Sequence, residues 1–397
     1  MTGTGLERLT SGGGADSAQG RIVRAMRAQG PLSAAELARA TGLARSTVST
    51  ALAGLRKSGL VVEAAGAPAA RGVGRPSAAL TLNPEAGTCV GLHLGLEDVR
   101  VMVADVSHSV ISEKTIPLSL DYAPEAAAEA ARAAAAAAYA EAGLAPAGMI
   151  GVGVSVSGPV APDGTVHRAS IIPGWAGLNI REVFEPAFGR PIFADNESNC
   201  AAIAEMTWGA AVGEPDFVLF KVDLGVGGAI VANGRLVKGV AGGGGEFGHV
   251  SLDPAGELCR CGNRGCLEIS ASFARPLAEL SRLAGRAVDM DAAIRMAEAG
   301  DAGALGLIED TAGRAGRGLA MVGTMLNPPL ILIGGRMALA GDLLMAPLVR
   351  AYERQALIKA RGLPPAQRTR IAVGRFTETD SLLGAVGLVL RDVGRLG

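Results

Sequence analysis

The first eighty residues place apolar positions at helical spacing and then in two short extended runs. Ile22, Val23 and Met26 share one helical face. After Gly30-Pro31, Ser33 stands as an N-cap with Glu36 three residues on, a capping-box pattern, and the helix it opens carries Leu37 and Ala38 and stops near Thr41-Gly42. A third helix is predicted over 44–57, with Val48, Leu52 and Leu55 on one face. Leu60-Val61-Val62-Glu63 reads as a strand, a loop rich in Ala, Gly and Pro follows, and a second strand lies near 79–82. Three helices and a two-stranded wing are the layout of a winged helix-turn-helix.

From about Pro84 strands alternate with helices. Runs 90–94 and 99–105 are expected to pair, and 123–143 is an alanine-dominated helix ended by Gly143 and Pro146, with a scaffold role. Further strands are expected at 149–156, 191–194, 217–223, 229–231 and 330–333, several ending in glycine. The last helix, 380–393, is expected to pack back on the earlier lobe. This alternation predicts an α/β fold whose ligands bind at strand ends. The division expected is a flexible tail over 1–15, a winged helix-turn-helix over 16–83 and an α/β domain over 84–397.

Composition narrows this picture. A chain of 397 residues can hold two or three domains, and 49% hydrophobic with 19% charged residues reads as a compact soluble protein. With only 3% aromatic residues, the core must be aliphatic and alanine-rich. A net charge of −1 gives no global pull toward nucleic acid, so DNA contact requires a local basic patch. The most apolar run, 319–333, is interrupted by Asn327-Pro328-Pro329, which leaves no membrane span, and the polar N-terminus does not resemble a signal peptide. Cysteines clustered in such a chain favour metal over disulfides, and a cytoplasmic location is expected.

The third helix offers Arg45, Ser46, Thr47, Ser49 and Thr50 near its N-terminus, side chains able to reach base edges and phosphates from a major groove. The wing loop adds Arg71 and Arg75, flexed by glycines, for a minor groove or a phosphate clamp. From 21 to 75 there are many arginines and only two acidic residues, Glu36 and Glu63. Double-stranded DNA is the expected partner; a small protein-interaction domain with a solvated basic face is the competing reading.

Four soft-metal ligands fall within eighteen positions: His249, then Cys259, Cys261 and Cys266. Three thiolates and one imidazole make a tetrahedral Zn²⁺ shell, and Glu246 and Glu268 flank it. Gly245-Glu246-x-Gly248-His249 followed by Cys259-x-Cys261-Gly262-x-x-Gly265-Cys266-x-Glu268 resembles the signature of the ROK family of sugar kinases and sugar-responsive repressors, over nearly the whole chain. The resemblance implies a two-lobed actin-like, ribonuclease H-like sugar-kinase domain behind the winged head. It implies zinc on His249, Cys259, Cys261 and Cys266, and a sugar pocket lined by Glu246, His249 and Glu268, closed by the two lobes. Asp195-Asn196-Glu197-Ser198-Asn199 falls where family kinases have Glu-Asn-Asp-Ala-Asn, which gives Asn196 and Glu197 to the sugar. A purely structural zinc knuckle with solvated glutamates is the alternative.

Two departures from the kinase pattern bear on activity. Glu197 replaces the catalytic Asp, and a displacement of about 1 Å can cost roughly two orders of magnitude in rate. The phosphate-binding Asp-x-Gly-Gly-Thr is replaced by His93-Leu94-Gly95-Leu96-Glu97, a poor host for ATP phosphates. Asp223-x-Gly225-x-Gly227-Gly228 and Gly334-Gly335 survive better. The expectation is a regulator without kinase activity, most simply a repressor, acting as a homodimer or homotetramer on a palindromic operator. An ATP-dependent sugar kinase with an appended DNA-binding domain is the first rival, and a redox sensor using Cys259 and Cys261 the second. Trp175 fits sugar stacking or lobe packing, and Cys89 and Cys200 read as buried small hydrophobes.

Overall fold

The structure, a computed structural model, describes residues 17–64, 79–107, 109–119, 122–167, 172–360, 362–377 and 380–392. The expected tail over 1–15 lies outside the described residues, and so do Arg71 and Arg75.

The head consists of α1 (Ala18–Gln29), α2 (Ala34–Thr41), α3 (Arg45–Lys57) and an antiparallel pair, β1 (Val61–Glu63) with β2 (Leu80–Leu82). The capping box forms as the spacing predicts: Glu36 N donates to Ser33 Oγ at 3.3 Å and Ser33 N donates to Glu36 Oε2 at 2.8 Å. Gly42 ends α2 in the left-handed region. Ile22, Leu37, Val48, Leu52, Leu55, Leu60 and Leu80 are buried, so the apolar faces close on one another. Each such burial contributes about 1.5–3 kcal/mol.

The chain divides into two units, 1–203 with 381–397, and 204–380. The sheet of the first is ordered β5 (Val110–Pro117), β4 (Asp98–Asp105), β3 (Thr88–Leu94), β6 (Met149–Val156), β7 (Ile192–Asn196). The first three are antiparallel, and β6 and β7 run parallel to β3. Every residue of β3 and β6 is buried, as a central strand covered on both faces requires. On α4 (Pro124–Glu141), Ala127, Ala131, Ala134, Ala135 and Ala138 form the buried face. α5 (Ile180–Phe188) precedes β7, and α6 (Glu197–Trp208) follows it. Trp175 is fully buried, stacked on Phe184 at 5.8 Å and edge-on to Tyr122 at 6.4 Å, so its role is core packing. Cys89 and Cys200 are buried free thiols, as expected. The last helix, α12 (Asp380–Asp392), packs against this sheet. A Cβ on Gly153 would lie 1.8 Å from the Ala385 carbonyl oxygen, an approach only glycine allows.

The second unit repeats the plan: β10 (Arg235–Leu236), β9 (Val226–Ala232), β8 (Phe217–Val222), β11 (Leu330–Gly334), β12 (Arg370–Val373), with β11 and β12 parallel to β8. Its helices are α7 (Leu267–Ala271), α8 (Ala274–Ala284), α9 (Met290–Glu298), α10 (Ala302–Leu326) and α11 (Asp342–Gln355). Each unit thus carries three antiparallel strands followed by two parallel ones, in the order 3-2-1-4-5. The edge strands β5, β10 and β12 are additions to the strands expected from sequence. Among the described residues no helix is long and apolar enough to cross a membrane.

Candidate functional site

The metal-ligand cluster forms in the second unit, just beyond the β8–β9–β10 hairpins. A 3-10 turn, Phe247–His249, presents the histidine, and His249 N donates to Glu246 O at 3.1 Å. An extended bridge pairs Ser251 with Cys266, and a second pairs Leu258 with Arg264. Between them the cysteine loop closes through Cys259 N to Asn263 O (2.7 Å) and Gly262 N to Cys259 O (2.9 Å). Gly265 has φ 59°, and a Cβ there would lie 1.8 Å from the Asp253 carbonyl oxygen, so glycine is required immediately before Cys266.

One ligand atom from each of His249, Cys259, Cys261 and Cys266 lies within 4.8 Å of all the others. His249 Nδ1 is 3.6 Å from Cys259 Sγ, and Cys261 Sγ is 3.6 Å from Cys266 Sγ. A tetrahedron with Zn–S near 2.3 Å and Zn–N near 2.0–2.1 Å needs edges of about 3.5–3.8 Å. The donor set fits such an ion in kind, and these two spacings match the edges it needs. Burial lowers the His249 pKa and favours the neutral imidazole that a metal needs. Burial, with the neighbouring thiols Cys261 and Cys259, pushes the Cys266 thiol up to about 12. A central dication would relieve that cost, because a coordinating thiol is deprotonated outright.

With Nδ1 turned to the thiols, the Nε2 edge of His249 faces the other way. Glu268, two residues past the last cysteine on α7, is close enough for its charge to act on His249, and its side chain is 12% exposed. Burial works against its carboxylate. The Arg260 guanidinium, His249 and the Val226 N–H together still hold it below the usual carboxylate range. Glu246 immediately precedes the 3-10 turn that carries His249. Arg260 is the residue the motif did not single out; its place between two cysteine ligands was the only sequence signal.

Asn196 and Glu197 lie in the first unit, where β7 passes into α6. Asn196 Oδ1 accepts from Asn199 N at 2.7 Å, capping the helix, and Asn199 Nδ2 donates to Asp195 Oδ1 at 2.8 Å. Glu197 Oε2 accepts from Ser157 Oγ at 3.0 Å. His93 is buried on β3 with Nδ1 at 3.2 Å from Ser155 Oγ and 3.4 Å from Ser381 Oγ. Leu96 and Glu97 are exposed at the turn beyond it. In the second unit Asp223 Oδ2 accepts from Arg336 N at 2.9 Å, linking the two surviving glycine turns.

On the head, Arg45, Ser46, Thr47, Ser49 and Thr50 are all exposed on α3, while Val48 between them is buried. The polar face is available and the apolar face anchors the helix.

Comparison with known proteins bears on family and fold. Residues 89–392 match the ROK family and residues 14–72 match the MarR family. The chain is 28% identical to a xylose repressor of Bacillus subtilis over 76% of this chain and 78% of that one. A ROK hexokinase from Thermus thermophilus is 34% identical, with a TM-score of 0.61 over 75% of this chain and 96% of that one. The structure of a ROK family transcriptional regulator, homolog of the E. coli MLC protein, has a TM-score of 0.75 over 95% of this chain and 96% of that one; at 22% identity it speaks for the fold. The chain belongs to the ROK family, with an N-terminal MarR-type winged-helix domain ahead of its ROK domain.

Proposed function

We propose that this protein is a sugar-responsive transcriptional repressor without kinase activity. The observation that carries the reading is the coexistence, in one chain, of a solvent-facing polar α3 and a four-ligand cluster flanked by Glu246 and Glu268. In this reading residues 16–83 form the DNA-binding head and 84–397 the sugar-sensing domain. The relatives include repressors of sugar genes and sugar kinases, and the residues at the phosphate turns favour the former. His93 is engaged with two hydroxyls, and Leu96 and Glu97 replace the small and hydroxyl residues that cradle phosphate.

His249, Cys259, Cys261 and Cys266 would hold one Zn²⁺, which supplies structural bracing. Glu246, the outer edge of His249 and Glu268 accept and donate to sugar hydroxyls, and Asn196 and Glu197 keep the sugar-binding roles implied by the resemblance. Arg45, Ser46, Thr47, Ser49 and Thr50, with Arg71 and Arg75 of the wing, contact operator DNA. A homodimer or homotetramer on a palindromic site in the cytoplasm completes the reading. Sugar binding relieves repression by favouring one arrangement of the heads, with a coupling of about 1–3 kcal/mol.

A thermal-shift screen of D-xylose, D-glucose, N-acetyl-D-glucosamine and their phosphates, followed by binding to a selected operator with and without the hit, tests the proposal. The expected outcome is a stabilising sugar that weakens operator binding. A coupled ADP-release assay decides against the kinase rival; robust turnover overturns the repressor-only reading. Zinc analysis giving about one ion per chain excludes the redox rival, in which Cys259 and Cys261 are free.

A further inference from the structure

Arg260 lies on Glu268 as a two-pronged donor. Its Nε is 2.8 Å from Oε1 and its Nη2 is 3.3 Å from Oε2. The same Oε2 faces the Val226 N–H at 3.4 Å. Gly225 packs beneath the carboxylate so closely that a Cβ there would lie 3.0 Å from Oε2. The carboxylate is therefore fixed from three sides. Arg260 is anchored in turn, since it stands between Cys259 and Cys261 in a loop closed by its own backbone hydrogen bonds.

We infer that Arg260 is a positioning residue of the candidate sugar site, holding the Glu268 carboxylate in one orientation to receive sugar hydroxyls. The inference rests on the sugar-binding reading proposed above. A carboxylate has about four lone-pair positions, and the guanidinium fork takes only two of them, one on each oxygen. The planar fork removes rotation about the last Glu268 torsion, which a lone acid beside a pocket would otherwise retain until a ligand ordered it.

The test is calorimetric titration of the full-length, zinc-loaded protein with D-glucose, D-xylose, N-acetyl-D-glucosamine and D-glucose 6-phosphate. Arg260→Ala is expected to weaken sugar binding about tenfold, the low end for loss of a supporting hydrogen-bond partner because the fork is half exposed. Arg260→Lys restores part of the loss, since it keeps the charge and loses the fork. Arg260→Ala added to Glu268→Gln costs nothing more than Glu268→Gln alone, which a merely structural loop defect would not reproduce. Zinc content stays equal in all variants. Unchanged affinity in Arg260→Ala, an additive double variant, or zinc loss on Arg260→Ala overturns the inference alone. Failure of the wild type to bind any of the four sugars removes the sugar reading and this inference with it.

Discussion

Replacing Gly265 with alanine separates the contribution of the tight metal loop from that of backbone conformation. An ideal Cβ at Gly265 lies 1.8 Å from the Asp253 carbonyl oxygen, whereas a carbon–oxygen contact needs about 3.3 Å. The segment 252–253 and the cysteine loop must part by about 1.5 Å. Two hydrogen bonds resist that movement, Leu252 N to Gly265 O at 2.8 Å and Asp253 N to Gly265 O at 3.3 Å. Forced overpacking costs about 1–3 kcal/mol, and a non-glycine residue in the left-handed region adds about 1–2 kcal/mol. Gly262 supplies the control: its φ is 93°, and no atom lies within 4 Å of its added Cβ, so Gly262→Ala meets the conformational cost alone. The overpacking difference between the two variants, at about 1.4 kcal/mol per decade, corresponds to roughly 5- to 150-fold weaker zinc binding in Gly265→Ala. Competition for zinc against a chromogenic chelator reads this directly. Equal zinc affinities in the two variants would refute the argument that the Asp253 contact sets the loop.

Other expectations follow from single contacts. Arg45→Ala weakens operator binding and lowers the slope of log affinity against log salt by about one, measured by fluorescence anisotropy across salt; an unchanged slope removes Arg45 from the phosphate contacts. Ser33→Ala deletes the capping box and costs the head about 1 kcal/mol in chemical unfolding. The Ser33 hydrogen bonds hold Glu36 below its ordinary value of 4.5, so their stabilisation is present above that pH and lost as pH falls through the lower folded value. Ser33→Ala should therefore flatten the acid side of the head's stability profile, by a small amount because Glu36 is partly open to solvent. Lys221 and Asp380 form a buried pair at 3.2 Å, with side chains 9% and 4% exposed. Lys221→Ala leaves a buried carboxylate and is expected to cost about 3–5 kcal/mol by denaturant titration; a loss under 1 kcal/mol would mean that water reaches the site.

The elements most legible in the sequence were those whose cause is local. The capping box, the apolar face of α3 and the run of buried β3 residues are set by neighbours a few positions apart, and the structure forms them where the spacing placed them. The four-ligand cluster belongs to this class, since eighteen residues and two short bridges suffice to bring His249 to the cysteines. α10 was opaque for the opposite reason. Glycines at 316, 318 and 323 weaken its helical signal, and a Cβ at Gly316 would meet the Leu348 carbonyl oxygen at 2.2 Å. Gly316 and Gly323 answer to α11 and Gly318 to Leu267 of α7, partners distant along the chain. The half-exposed β5 and the short β10 and β12 gave no signal because edge strands take their order from a neighbour's hydrogen bonds.

By itself, then, the sequence determined the winged head, the α/β character, the metal-ligand set and the two acids beside it, because short-range spacing encodes each of them. Only the tertiary structure decided that both units share one strand order, that Trp175 is core, and that Arg260 grips Glu268. Those facts depend on where a side chain points after distant segments have packed, and residue spacing along the chain carries no record of that direction.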